Sequence, residues 1–126
     1  MDLYAENILD HYRSPHNAGQ IKNPSVQIRE HNPLCGDVIT LELSLDSKGI
    51  IRDIGFVGNG CAISQAAMSL LSDEVKRKGK TAIKKMSPQK VTELLGVEIS
   101  PARMKCALLG FTALQKAIRM DKESKK

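Results

Sequence analysis

From Ile39 to Leu45 apolar and polar residues alternate without a break. Ile39, Leu41, Leu43 and Leu45 fall on one side, and Thr40, Glu42 and Ser44 on the other. A period of two marks a half-buried β-strand, and its apolar face requires a second layer to cover it. The next residues, Asp46-Ser47-Lys48-Gly49, are a hairpin turn whose glycine can take positive φ. Ile50–Val57 is therefore predicted to return antiparallel, with Val26–Glu30 as a third strand on the other side. One covered and one wet face favours antiparallel pairing over a buried parallel sheet.

On either side of these strands the periodicity becomes helical. Asp2–Arg13 places Leu3, Ile8 and Leu9 with Tyr4 and Tyr12 near helical spacing, and Pro15 ends that helix. Residues 14–24 read as a loop, and Gly58-Asn59-Gly60 is predicted to stop the last strand. A helix begins near Cys61, with Ala62, Ile63, Ala66, Ala67, Leu70 and Leu71 as its apolar stripe. Ser87-Pro88 and Ser100-Pro101 each carry the signature of a helix start, serine as N-cap and proline at the first position. The last helix shows Met104, Ala107, Leu108, Phe111, Leu114 and Ile118 on one face. The predicted fold is α+β, a three-stranded antiparallel sheet covered by helices in the order α-β-β-β-α-α-α. It is read as a single domain over residues 1–126, with 119–126 as a polar tail.

Two Tyr, two Phe and no Trp leave the core to aliphatic residues and Met. A chain of 126 residues buries roughly two-thirds of its unfolded surface, so it needs no disulfide staple. No apolar run reaches the roughly 18 residues of a membrane span. The start, Met1–Glu6, lacks the basic and apolar regions of a secretory signal. A cytoplasmic protein is expected, with no membrane partner. Thiols stay reduced there, so three cysteines point to metal or sulfur chemistry. The net charge of +5 concentrates in Lys76-Arg77-Lys78, Lys80, Lys84-Lys85 and the tail. No aromatic platform for bases accompanies it, so a solvated surface or a face for an acidic protein is expected, and no nucleic acid. No P-loop, dinucleotide-binding or nucleophile-elbow motif is present.

Each cysteine has its own local setting. Cys35 lies in Asn32-Pro33-Leu34-Cys35-Gly36-Asp37, where Pro33 stiffens the loop and Gly36 frees it to turn. Cys35 and Asp37 leave an extended segment on the same side and can point at one ion; Asp37 can equally be a turn residue capping the strand. Cys61 opens a helix, where unpaired N–H groups favour a thiolate; it can equally be a small buried thiol. Cys106 stands three residues after Arg103, on the same helix face, so a guanidinium can favour its thiolate; apolar neighbours also suit a core cysteine. Together the three sulfurs and one carboxylate make a tetrahedral set suited to Zn2+ or a small iron–sulfur cluster. A structural zinc site usually shows C-x-x-C or H-x-x-x-H spacing, and neither occurs. His11 and His31 are expected at the surface or behind the ligands, His31 being the better reserve ligand.

Several blocks resemble the U-type iron–sulfur cluster assembly proteins, the family of IscU, SufU and the N-terminal domain of NifU. They are Tyr4…Ile8-Leu9-Asp10-His11-Tyr12-Arg13-Ser14-Pro15-His16-Asn17-Ala18-Gly19, Cys35-Gly36-Asp37, Gly60-Cys61-Ala62-Ile63-Ser64 and Arg103-Met104-Lys105-Cys106. The resemblance implies a compact α+β fold with ligands Cys35, Asp37, Cys61 and Cys106 for Zn2+ or a transient [2Fe–2S] cluster. It implies a cysteine desulfurase as partner, delivering persulfide sulfur to one of these cysteines, with Cys106 as the candidate acceptor and Arg103 as the cation that stabilises its thiolate, and apo-proteins that accept the product. Gly60-Cys61-Ala62-Ile63-Ser64 and Arg103-x-x-Cys106 look like the SufU branch. The Leu-Pro-Pro-Val-Lys motif and the histidine before the last cysteine, both features of the IscU branch, are replaced by Ile99-Ser100-Pro101-Ala102-Arg103 and Lys105. No dedicated Hsp70-type chaperone is therefore expected. The insertion usual in SufU is absent too, which makes this a compact SufU-like chain. Beside this reading stand a zinc-stabilised binding module that uses Lys76–Lys85, and a cysteine enzyme that uses Cys106 activated by Arg103.

Overall fold

The computed structural model describes residues 3–32 and 36–120. Val26–His31 (β1), Val38–Leu45 (β2) and Ile51–Asn59 (β3) form one antiparallel sheet in that order, as the alternation predicts. Val26, Leu43 and Ile54 align across the three strands, and Ile28, Leu41 and Phe56 form the next row. An irregularity between Ser44 and Leu45 shifts the register where the hairpin closes. Asp46 builds that turn: its Oδ1 accepts from the Lys48 and Ile50 N–H groups at 2.9 and 3.0 Å. Its Oδ2 accepts from Arg52 Nε. These bonds, led by that from Ile50, hold its carboxyl below the usual range.

The described residues also form six helices: Leu3–Arg13 (α1), Ala62–Val75 (α2), Lys80–Lys84 (α3), Gln89–Leu95 (α4), Pro101–Ala107 (α5) and Leu109–Met120 (α6). Helix α6 lies across β1 and β2. Helix α2 is the centre of the helical layer, packed against α1, α4, α5, α6 and β3. Ile39, Leu41, Leu43, Met68, Leu114 and Ile118 are wholly enclosed between sheet and helices. Each such side chain contributes about 1.5–3 kcal/mol by leaving water.

The structure corrects several local expectations. Tyr12 is 44% exposed, and His11 takes the inward position beside Ile8. The second face of the sheet is not uniformly wet. Residues 17–19 bond to the free edge of β3, through Gly19 N–H to the Phe56 carbonyl at 2.8 Å and Phe56 N–H to the Asn17 carbonyl at 3.1 Å. This covers an edge that would otherwise invite another strand. Glu42 is buried beneath the same loop, accepting from Ile21 N–H and Gln27 Nε2. Strand β3 runs on through Gly58 to Asn59, because a residue without a side chain fits beneath α2 there.

Helix α2 is buried nearly all round, so its serines and Gln65 need internal partners that an amphipathic stripe would not require. Finally, the C-terminal helix is two helices, broken at Leu108 (φ −92°, ψ 0°) so that Gly110 rests on Met68. The Pro101 start is as predicted, whereas α4 begins one residue after Pro88. Among the described residues no helix is long and apolar enough to cross a membrane. Part of the basic stretch is spent internally: Glu74 pairs with Lys78 and Lys90, and Lys76 donates to Asn17 Oδ1.

Candidate metal centre

The fold brings Asp37, Cys61 and Cys106 to one corner. One ligand atom from each, a carboxylate oxygen and two Sγ, lies within 4.8 Å of the others. Cys35, the fourth predicted ligand, lies outside the described residues, as do Pro33 and Leu34.

Each ligand is placed by its own element. The β1–β2 loop is closed by Asn32 N–H to the Asp37 carbonyl (2.9 Å) and Gly36 N–H to the Asn32 carbonyl (2.8 Å). Gly36 sits at φ +76°, which favours glycine, so the sequence reading of its role holds. Asp37 enters β2 with its side chain buried, and Oδ2 has no hydrogen-bond partner. A carboxylate oxygen in that position lacks the bond a turn cap makes, and its surroundings fit a cation.

Cys61 is the N-cap of α2 in extended conformation (φ −75°, ψ 168°) and makes no side-chain bond to the helix start. Its thiol is half-buried and donates to Ser64 Oγ at 3.9 Å, while Ser64 Oγ donates to the Cys61 carbonyl at 3.1 Å. Cys106 is buried near the end of α5. Gly60 lets these pieces meet: a Cβ there would stand 2.6 Å from Asp37 Cγ and 2.7 Å from Ser64 Oγ. Two sulfurs and a buried carboxylate with an unsatisfied oxygen are the donor chemistry that Zn2+ or an iron–sulfur cluster requires.

Arg103 is exposed on α5, one turn before Cys106. His31 ends β1 and lines a groove beside the site with Asn32, Lys105, Leu108 and Thr112. His11 is buried at the other end of α2, where its Nδ1 pairs with Ser69 Oγ at 2.6 Å. Burial first, then the neighbouring His16 charge, lower its pKa; Asp73 and Asp10 oppose them. Ser64 and Gln65 were missed by the sequence reading. Their positions three and four residues after Cys61 put them on its helix face, which is the signal that could have found them.

Comparison with known proteins identifies the family. Residues 3–126 match the NifU-like N terminal domain. The chain is 35% identical to the zinc-dependent sulfurtransferase SufU of Bacillus subtilis, covering 94% of this chain and 91% of that protein. It is 32% identical to the iron-sulfur cluster assembly scaffold protein IscU of Escherichia coli, covering 98% and 96%. The SufU alignment runs over 136 positions, more than the 126 residues present here, so that relative carries residues with no counterpart in this chain. Among solved structures, a putative iron-sulfur cluster assembly scaffold protein for the SUF system from Fervidobacterium islandicum superposes with a TM-score of 0.75. It is 27% identical, over 90% of this chain and 94% of that one. The chain therefore belongs to the NifU-like N-terminal domain family.

Proposed function

We propose that this chain is an iron–sulfur cluster assembly protein that receives persulfide sulfur from a cysteine desulfurase. Its site comprises Cys35, Asp37, Cys61 and Cys106 and holds Zn2+ or a transient [2Fe–2S] cluster. The observation that carries this reading is the convergence of Asp37, Cys61 and Cys106 ligand atoms within 4.8 Å, with Asp37 Oδ2 buried and unpartnered. The names of the SufU and IscU relatives support the same chemistry. When bound, the metal holds the thiolates together and lowers the cost of keeping them ionised.

The chain's own residues supply the rest. A thiolate of the site attacks the outer sulfur of the desulfurase persulfide. One sulfur–sulfur bond forms, the bond to the desulfurase cysteine breaks, and that cysteine leaves as a thiolate. No net oxidation occurs, because the transferred sulfur arrives already at the sulfane level. The half-buried Cys61 is open to this approach, while buried Asp37 and Cys106 hold the back of the site. Asp37, a hard oxygen among soft sulfurs, is the weakest ligand for a cluster and suits a site that must release its contents.

Sulfide production by a cysteine desulfurase tests the reading. Wild type is expected to stimulate it, and Cys35→Ala, Cys61→Ala and Cys106→Ala to stimulate it less. Stimulation equal to wild type in all three variants would refute sulfur acceptance.

A further inference from the structure

Two buried polar side-chain atoms among the described residues have no hydrogen-bond partner: Asp37 Oδ2 and Gln65 Nε2. They belong to the same corner of the molecule. Gln65 follows Cys61 by four residues, and its backbone N–H donates to the Cys61 carbonyl at 3.1 Å, so the two share a helix face. Its carboxamide rests over Gly58, as the Asp37 carboxylate rests over Gly60 two residues further on. Gln65 is 7% and Asp37 5% exposed, so bulk water does not reach either atom.

The two orphans are chemically opposite. Ionised Oδ2 only accepts, and Nε2 only donates. They do not pair with each other. A bare cation would serve the carboxylate and leave the amide donor with nothing. A guest that serves both carries positive charge toward Asp37 and an electron-rich atom toward Gln65. Beside two cysteines at a sulfur-handling site, that atom is sulfur.

We propose that Gln65 is a positioning residue whose carboxamide N–H donates to an anionic sulfur held next to the metal. That sulfur is the bridging sulfide of a cluster or the terminal sulfur of a persulfide. The inference rests on the reading of the site as a sulfur-handling metal centre. A donor buried without a partner costs the unloaded protein stability, and loading the sulfur restores the missing bond. The close seat of the carboxamide on Gly58 keeps the donor where it is needed even in the empty state: a Cβ there would stand 2.6 Å from Nε2.

Gln65→Leu keeps the volume and removes the donor. Three measurements on the full chain decide the matter. The unloaded variant is expected to melt at the wild-type temperature or above it. Its zinc affinity, measured by chelator competition, should stay within about threefold of wild type, well under the loss typical of a residue that supports a metal ligand. Its sulfur should be lost about tenfold faster, the effect of one hydrogen bond to a charged acceptor.

The sulfur is followed in two arms. One is a cluster assembled with ferrous iron, cysteine and desulfurase and then challenged with chelator. The other is a persulfide loaded by the desulfurase and then challenged with thiol. Faster loss in the first arm assigns the bond to sulfide, and in the second to the persulfide. A lower melting temperature in the unloaded variant would make Gln65 structural and overturn the proposal. Unchanged lifetimes in both arms would overturn it, as would zinc affinity falling as far as sulfur retention. A wild-type protein that retains neither cluster nor persulfide would overturn the sulfur-handling reading itself, whatever the variant does.

Discussion

Helix α2 carries a polar cluster near each end. Toward its C-terminal end, Ser69 Oγ meets His11 Nδ1 and accepts from the His16 N–H at 2.8 Å. Asn17 Nδ2 donates to Ser72 Oγ and Asp73 Oδ1, while its Oδ1 accepts from Lys76. Ser72 Oγ donates to the Ser69 carbonyl, and His16 Nδ1 pairs with Asp73 Oδ2. This network fastens α1 and the following loop to α2, and its members satisfy one another. At the N-terminal end, Asp37, Cys61 and Cys106 gather, and two buried atoms, Asp37 Oδ2 and Gln65 Nε2, are left unsatisfied. A closed network adds rigidity and asks for nothing more; unsatisfied buried atoms cost stability unless a guest arrives. On the proposed function, the contrast separates a latch from a receptacle on one helix.

The widest break in this comparison comes from the ligands. Cys61→Ser and Cys106→Ser are each expected to weaken zinc binding by more than about a hundredfold, beyond what loss of a supporting residue costs. Zinc at a hundred times its dissociation constant should stabilise wild type by about 2.7 kcal/mol, and calorimetry should find that stabilisation gone in both variants. Next comes Gly60→Ala, whose new Cβ presses on the Asp37 carboxylate. It should cost about 1–3 kcal/mol in denaturant unfolding and lower zinc affinity as well.

Ser69→Ala sharpens the contrast from the other side. It strands the buried His11 ring and the His16 N–H, so unfolding should show a loss of about 1–3 kcal/mol while zinc affinity holds.

The pH dependence is smaller. His11 has its folded-state pKa lowered from 6.5, chiefly by burial. The unfolded chain therefore binds this proton first as pH falls. The His11 contribution is complete above 6.5 and is lost as pH drops below it toward the folded value. His11→Gln should flatten the stability profile in that window. The exposed pair between Lys116 and Glu30 should matter least, with Lys116→Ala costing under about 1 kcal/mol.

The receptacle was more legible in the sequence than the latch. Alternation at Ile39–Leu45 and the Asp46–Gly49 turn gave the sheet and its pairing, because period two admits little else. The proposed ligands Cys61, Cys106 and Asp37 stood out because metal-binding residue types are few, and the fold brings those three together. The latch was hidden because Ser69, Ser72 and Asp73 look like the outer face of an amphipathic helix. Only the burial of α2 on nearly every side makes Ser69 and Ser72 internal, with Asp73 at the exposed rim. The same burial hid Gln65, and a tertiary contact with Gly58 turned an expected strand stop into strand. Arg103 stands one turn before Cys106 on α5, exposed where the thiol is buried.

Metal content tests the central claim most directly. Wild type, Ser69→Ala and Cys61→Ser are purified anaerobically, supplied with zinc or with ferrous iron, cysteine and desulfurase, and freed of loose ions before analysis. Stoichiometric metal is expected in wild type and in Ser69→Ala, with little in Cys61→Ser. Metal retained by Cys61→Ser, or lost from Ser69→Ala, would contradict a receptacle at one end of α2 and a latch at the other.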